Sequence, residues 1–433
     1  MEEGVVTPAT WPRDEPLAGR LLFLDPQSGE IQDLRMRELP RLLCSGDVLV
    51  VNDAATLPAS LQATTSTGEH VEVRLAGRGP NGGEWTAALL GRGDWRTRTE
   101  ERSAPPRLTA SDLLHLGGDL TATVRRAWSV SPRLVDLTFD REGDALWQAL
   151  YRHGRPVQYS HLKGPLALWH VQTVYGARPW AVESPSAGLP LNWELLGALR
   201  REGVALASLT HAAGLSSIGD SIVDALLPLP ERFEIPETTV DAVERARREG
   251  GRVIAVGTSV VRALEGSAGA HGGRIRAEAA VTDLRINAQY SLRIVDGLLT
   301  GLHEPGSSHF SLLTAFAPEE ALLAATRHAE ATGYLGHEFG DAMLIVGETR
   351  TARGIIPQPE LAARRTSRED VDGLGRLLEG SQRRREPDVP AEPLRSSARS
   401  MGCGQCRGGG NLRHPKPDWR SGRARGIPRP IAV

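Results

Sequence analysis

The sequence predicts an α/β protein: an α/β body, an inserted antiparallel β-barrel-like domain and a disordered C-terminal tail. Three observations predict it. Short apolar runs at 48–51 (VLVV), 204–209 (VALASL), 253–256 (VIAV) and 342–346 (AMLIV) have the texture of strands buried on both faces, with helical patterns between them. From Gln62 to Asp140 the texture changes to period-two alternation broken by Gly-rich turns. Past Thr366 periodicity is lost and Arg, Pro and Gly dominate. The expected boundaries are residues 1–61 and 141–365 for a discontinuous α/β catalytic body, 62–140 for the insert and 366–433 for the tail.

Taken in order, residues 1–19 read as an irregular lead-in. A strand is expected at 20–24 (RLLFL), then a turn at 25–30 (DPQSGE), a short helix at 39–43 and a buried strand at 48–51. The insert offers alternating strands at 71–75, 85–90, 120–124 and 133–139. After Trp147 the α/β pattern returns, with a helix at 195–202, a strand at 204–209 and a helix at 240–250 ending in glycine. The apolar run 253–256 follows. Residues 279–286 and 292–299 read as a strand pair turning near Asp296-Gly297. Helices at 311–316 and 319–331 precede a final strand at 342–346.

Composition narrows the function classes. In 433 residues, 40% hydrophobic and 24% charged content is that of a globular protein with a sizeable core. From Arg364 onward 16 Lys and Arg stand against 8 Asp and Glu; with a net charge of −2 overall, the chain before it sits near −10. Such an acidic body is not the usual footprint of a nucleic-acid binder. Lys163 and Lys416 are the only lysines, which excludes chemistry needing several. Cys44, Cys403 and Cys406 cannot build a disulfide framework, so a reducing, cytoplasmic setting is expected. No apolar run approaches membrane-spanning length. The pair Cys403 and Cys406 makes a single CxxC near His414, short of a four-ligand zinc set.

Several polar spots stand where α/β proteins hold ligands. At 252–265 (RVIAVGTSVVRALE) a buried strand meets Gly257, then Thr258 and Ser259 at a helix start, with Arg262 three residues on. That start suits a carboxylate, a phosphate or a ribose, but taken alone it reads first as an ordinary strand-to-helix turn of the kind that recurs in α/β proteins. The loop Pro185-Ser186-Ala187-Gly188-Leu189 after Gln172-Thr173-Val174-Tyr175 can expose backbone N–H groups. Thr210-His211 lies just past an apolar strand. Residues 301–308 (GLHEPGSS) form a polar turn before a helix, and Asp341 immediately precedes the last strand. Each also has a plain structural reading as a turn, a cap or a packed histidine.

Their collinear order is more telling. Gly46-Asp47, Asn52-Asp53 and Leu57-Pro58-Ala59 come first, then the 172–175 and 185–189 blocks and the 256–265 run. Thr282-Asp283, 295–298 (VDGL), His303, Pro305, Ser307, Ala315-Phe316 and 340–345 (GDAMLI) complete the series. Over roughly residues 17–347 this resembles the S-adenosylmethionine:tRNA ribosyltransferase-isomerases of queuosine biosynthesis. The resemblance implies an α/β body with an inserted barrel. It implies transfer and isomerisation of the ribosyl group of S-adenosylmethionine onto 7-aminomethyl-7-deazaguanine at the tRNA wobble position, giving epoxyqueuosine and releasing adenine and methionine, without a metal. The sulfonium acidifies the neighbouring C5′ protons, so the reaction needs a base, and protonated adenine leaves more readily. By resemblance, His211 and His303 are the proton carriers, and Asp283 and Asp341 orient the amine or the sulfonium. Thr258, Ser259 and Arg262, with Ser186, Gly188 and Tyr175, hold S-adenosylmethionine. A monomer acting on tRNA is expected.

The chain departs from the family pattern. Where relatives read Asn-Asp-Thr-Arg-Val-Ile-Pro-Ala-Arg-Leu, this chain has Ala55 and Ser60 at the arginine positions. If those arginines bind phosphate, each loss costs about 1–3 kcal/mol. Pro190 replaces the histidine of Ala-Gly-Leu-His-Phe, and the Gly-x-Gly spacing after His211 is lost. Three readings remain open: the family reaction, a paralogue that uses S-adenosylmethionine on another acceptor, or an inactive binding protein.

Overall fold

A computed structural model describes residues 6–79 and 83–347 of the chain. The expected tail at 366–433, with its CxxC, lies outside the described residues.

The chain begins with β1 (Arg20–Leu24), β2 (Ile31–Arg35), β3 (Val48–Asn52) and β4 (Ala54–Thr56). The barrel strands are β5 (Ser60–Thr65), β6 (His70–Arg78), β7 (Glu84–Leu90), β8 (Leu113–His115), β9 (Thr121–Ala127) and β10 (Leu134–Phe139). Then come α1 (Gly143–His153), β11 (Arg178–Ala181), α2 (Trp193–Arg201), β12 (Ala205–His211), α3 (Ser221–Asp224), β13 (Glu231–Ile235) and α4 (Glu237–Arg248). The remainder is β14 (Val253–Val256), α5 (Thr258–Ala270), β15 (Glu278–Thr282), β16 (Gly297–Gly301), α6 (Ser308–Leu313), α7 (Glu319–Ala331) and β17 (Ala342–Val346).

A nine-stranded mixed sheet in the order β15-β13-β12-β3-β14-β16-β17-β1-β2 forms the body. Its centre, β12-β3-β14-β16, is parallel. Alternate residues of these strands feed opposite cores: Val48, Val50, Val253 and Ala255 join one cluster, and Leu49, Val51, Ile254 and Val256 join the other. Burial on both faces is why these strands read as unbroken apolar runs. The flanking helices carry complementary ends. In α4, Glu237 lies in the first turn and Arg245, Arg247 and Arg248 in the last, favourable against the helix dipole.

Six antiparallel strands, β10-β7-β6-β5-β8-β9, close into a barrel. Helix α1 adds Leu146, Ala149 and Leu150 to its core. The outward phase of β6 is not exposed, contrary to simple alternation. Glu72 and Arg74 are 3% and 1% exposed. Glu72 meets Arg74 Nε and Arg102 Nη1, each at 2.7 Å. Burial alone would raise the Glu72 pKa, but the two guanidinium groups outweigh it and hold the carboxyl below its usual value.

Two expectations change. The segment expected as a helix at 39–43 is a 3-10 turn at Met36–Arg41. The expected strand pair at 279–286 and 292–299 does not pair. Strand β15 joins β13, and β16 lies between β14 and β17. The stretch between them is irregular because Glu265 of α5, fully buried, accepts the backbone N–H groups of Arg293, Ile294 and Val295. A buried carboxylate has replaced the strand ladder as the partner of these groups.

Candidate active site

Three parallel strands end at the same edge of the sheet, where open α/β folds hold ligands. Asn52 closes β3, His211 closes β12 and Gly257 follows β14. The Asn52 side chain ties the three ends together. Its Oδ1 accepts the His211 N–H at 2.9 Å and the Ala54 N–H at 3.0 Å. Its Nδ2 donates to the His211 carbonyl at 3.0 Å and to Ser259 Oγ at 3.3 Å. Gly257 has φ of +84°, the left-handed region, and turns the chain directly into α5. The helix start leaves its first N–H groups without intrahelical partners.

A cavity of about 980 Å³ opens at this edge. Thr258, Ser259 and Arg262 line it, as do Ser186, His303 and the carboxylates Glu183, Asp224, Glu231, Glu304 and Glu338. Arg262 is 9% exposed. Its Nη1 pairs with Glu231 Oε2 at 2.6 Å, and its Nε donates to the Leu284 carbonyl at 3.3 Å. Its Nη2 is buried without a hydrogen-bond partner among the described residues. Glu231 also accepts the Gly214 N–H through Oε1 at 2.6 Å. Burial raises the Glu231 pKa, and Arg262 opposes that rise only in part.

His211 lies behind this pair, fully buried. Its Nε2 is 3.4 Å from Glu231 Oε2, and neither ring nitrogen makes a hydrogen bond to a described residue. Burial first, and then the Arg262 charge, hold its pKa well below the ordinary value, so the ring is neutral. His303 faces the cavity itself. Its Nε2 shares a 2.8 Å hydrogen bond with Thr300 Oγ1, and its ring stacks on His309 at 5.0 Å. Burial, then His309 and His337, lower its pKa well below the usual range. His309 is pushed down to about 4 by burial and Arg262.

The other expected residues are dispersed. Tyr175 and Gly188 pack on each other: the Tyr175 hydroxyl donates to the Gly188 carbonyl at 3.4 Å, and a β-carbon on Gly188 would stand 2.0 Å from that hydroxyl. They brace the Ser186–Gly188 turn rather than line the large cavity. Asp341 is 3% exposed and accepts from Arg13 Nη2 at 2.6 Å and from the N–H groups of Arg20 and Leu335. It lines a second cavity of about 250 Å³, together with Ser186 and Pro190. Asp283 is exposed and lines neither cavity.

Sequence reasoning passed over Asn52 as a site residue, and Glu231 and Glu183 altogether. Glu231 left a signal. In β13 it shares the inward phase with Phe233 and Ile235, so a charge occupies a core position. Glu183, held by the Tyr159 hydroxyl and by Ser216, had no such pattern. Burial raises its pKa against those hydrogen bonds.

Among the described residues no helix is long and apolar enough to cross a membrane. A family profile described as "Queuosine biosynthesis protein" matches residues 6–345. The chain is 36% identical over 341 residues to an S-adenosylmethionine:tRNA ribosyltransferase-isomerase of Acidithiobacillus ferrooxidans, covering 77% of this chain and 93% of that one. It is 39% identical over 321 residues to a protein of the same name from Thermus thermophilus, covering 72% and 88%. A crystal structure of an S-adenosylmethionine tRNA ribosyltransferase from Thermotoga maritima aligns over 80% of this chain and all of its own, at 25% identity and a TM-score of 0.43.

Proposed function

The chain belongs to the queuosine biosynthesis protein family, and on that premise we propose that it transfers and isomerises the ribosyl group of S-adenosylmethionine. The acceptor in this reading is the aminomethyl group of 7-aminomethyl-7-deazaguanine at the tRNA wobble position, and the reaction belongs in the cytoplasm. The observation that carries the reading is Arg262. Its buried Nη2 lacks a partner among the described residues, beside a cavity whose volume is at the upper end for a single small-molecule ligand. A methionine carboxylate would complete it through a charge-assisted hydrogen bond. Thr258 and Ser259, on the same helix turn, supply hydroxyls for the ribose.

The proton chemistry falls to His303. It faces the cavity, and its lowered pKa keeps the imidazole neutral and able to accept a C5′ proton at neutral pH. The same group, once protonated, can return its proton to the departing adenine. His211, enclosed behind Glu231, acts through that carboxylate and is a positioning residue in this scheme. Glu183 and Glu231, with raised pKa values, are the nearby groups that hold or release a proton.

A second reading keeps the donor and changes the acceptor. Five carboxylates among the described residues line the cavity, and neutral Ala55 and Ser60 stand where family members carry arginine. That environment favours a small cationic acceptor over a phosphate backbone. The deciding experiment mixes the protein, S-adenosylmethionine and tRNA bearing 7-aminomethyl-7-deazaguanine, and follows adenine release by chromatography. Release that requires the modified tRNA supports the first reading. S-adenosylmethionine binding without such release refutes it and supports the second.

A further inference from the structure

We propose that His161, His337 and Glu338 form a site for a divalent transition metal of the zinc type at the edge of the large cavity. One ligating atom of each lies within 4.8 Å of the others. Two imidazoles and one carboxylate are the donor set of an open zinc site, whereas magnesium and calcium take oxygen ligands. With metal–ligand bonds of roughly 2.1 Å, tetrahedral geometry places neighbouring donors roughly 3.4 Å apart. His161 Nε2 and Glu338 Oε2 are already 3.2 Å apart. The rings of His161 and His337 face each other at 4.5 Å, tilted by 35°. The donor atoms of all three residues, within 4.8 Å of one another, have at most roughly 1.4 Å left to close to reach that spacing.

The surroundings hold these donors in place. The Tyr159 ring lies almost parallel to that of His161, at 11°. Glu304 Oε1 stands 3.5 Å from His337 Nε2, the position of an outer carboxylate that orients a ligating imidazole. His337 has φ of +63°, a left-handed conformation that is strained for a non-glycine residue. Glycine would be cheaper there as backbone, yet the position carries an imidazole aimed at another imidazole. His337 and Glu338 both line the large cavity, and three protein ligands leave a coordination position open. A bound ion would tie the segment around residue 161 to the loop before β17 and so fix one wall of the cavity. This site is independent of the proposed reaction, whose family resemblance implies chemistry without a metal.

The test is a titration of the full-length protein with Co2+, followed through its visible d–d bands, then displacement by Zn2+. Cys403 and Cys406 are first replaced by serine, so that the CxxC cannot supply thiolates. Saturable binding of one Co2+ per chain, displaced by Zn2+, is expected. The variants H161Q and H337N, the latter because asparagine tolerates positive φ, should each weaken binding by at least about tenfold. Circular dichroism confirms that both remain folded. Absence of saturable Co2+ binding in the C403S/C406S protein overturns the proposal, as does an unchanged affinity in both histidine variants.

Discussion

Replacing Arg262 by methionine keeps most of the side-chain length and removes the guanidinium. Two consequences follow from the same atoms. The Glu231 carboxylate, 2.6 Å from Nη1 and enclosed beside His211, loses its counter-charge. Removing one partner of a buried ion pair costs about 3–5 kcal/mol. The proposed ligand carboxylate loses its charge-assisted bond to Nη2, worth about 1.5–3 kcal/mol. That converts to about a 10- to 150-fold rise in the Kd for S-adenosylmethionine. The double variant R262M/E231Q separates the effects. The glutamine amide oxygen it places at position 231 still accepts the Gly214 N–H but carries no charge. The double variant should therefore recover much of the stability lost by R262M and none of the affinity. Urea denaturation gives the first quantity and isothermal titration calorimetry with S-adenosylmethionine the second. Unchanged affinity in the double variant would refute the assignment of Arg262 to the ligand carboxylate.

H303Q should bind S-adenosylmethionine like the parent and lose about 10²–10⁴-fold in adenine-release rate, measured in single turnover. Because the pKa of His303 is lowered, its rate limb should lie below pH 6.5, and a limb centred between pH 7 and 8 would argue against it as the base. His211, His303 and His309 all have lowered folded-state values, so the unfolded chain binds more protons as pH falls through 6.5, and stability should decline on acidification, read from urea midpoints between pH 7.5 and 5. Glu231 works in the opposite sense: its raised folded-state pKa favours the folded state below its unfolded value and that contribution is lost as pH rises, so E231Q should steepen the rise of the urea midpoint with pH over the same range. G188A should lose about 1–3 kcal/mol in urea denaturation, because the new β-carbon lands 2.0 Å from the Tyr175 hydroxyl.

The central strands of the body and four of the six barrel strands were legible because their periodicity reports burial directly. The run 253–256 is apolar throughout since both sheet faces are covered, and the barrel strands alternate since one phase fills a closed core. Alternation misleads at Glu72 and Arg74, where Arg102 covers the outer phase. The pattern records which residues share a face, not whether that face meets water. The strand expected at 292–299 forms only from Gly297 onward, for a related reason. Its apolar residues suit a strand, but Glu265, distant in sequence, takes the backbone N–H groups a neighbouring strand would have needed.

Residue order alone was enough for the family, for the central strands of the sheet and for the helix start at Thr258-Ser259-Arg262, but it left β2, β13 and α1 unread. Folding in three dimensions settled what Arg262 pairs with, that His303 faces the cavity while His211 lies behind Glu231, and that Asp341 is engaged by Arg13 and two backbone N–H groups. It also brought His161 to His337 and Glu338 across 176 and 177 residues of chain. The physical reason is range. Propensity and periodicity act over a few residues, whereas pKa values, ion pairs and ligand sets arise from groups that meet only when the sheet closes.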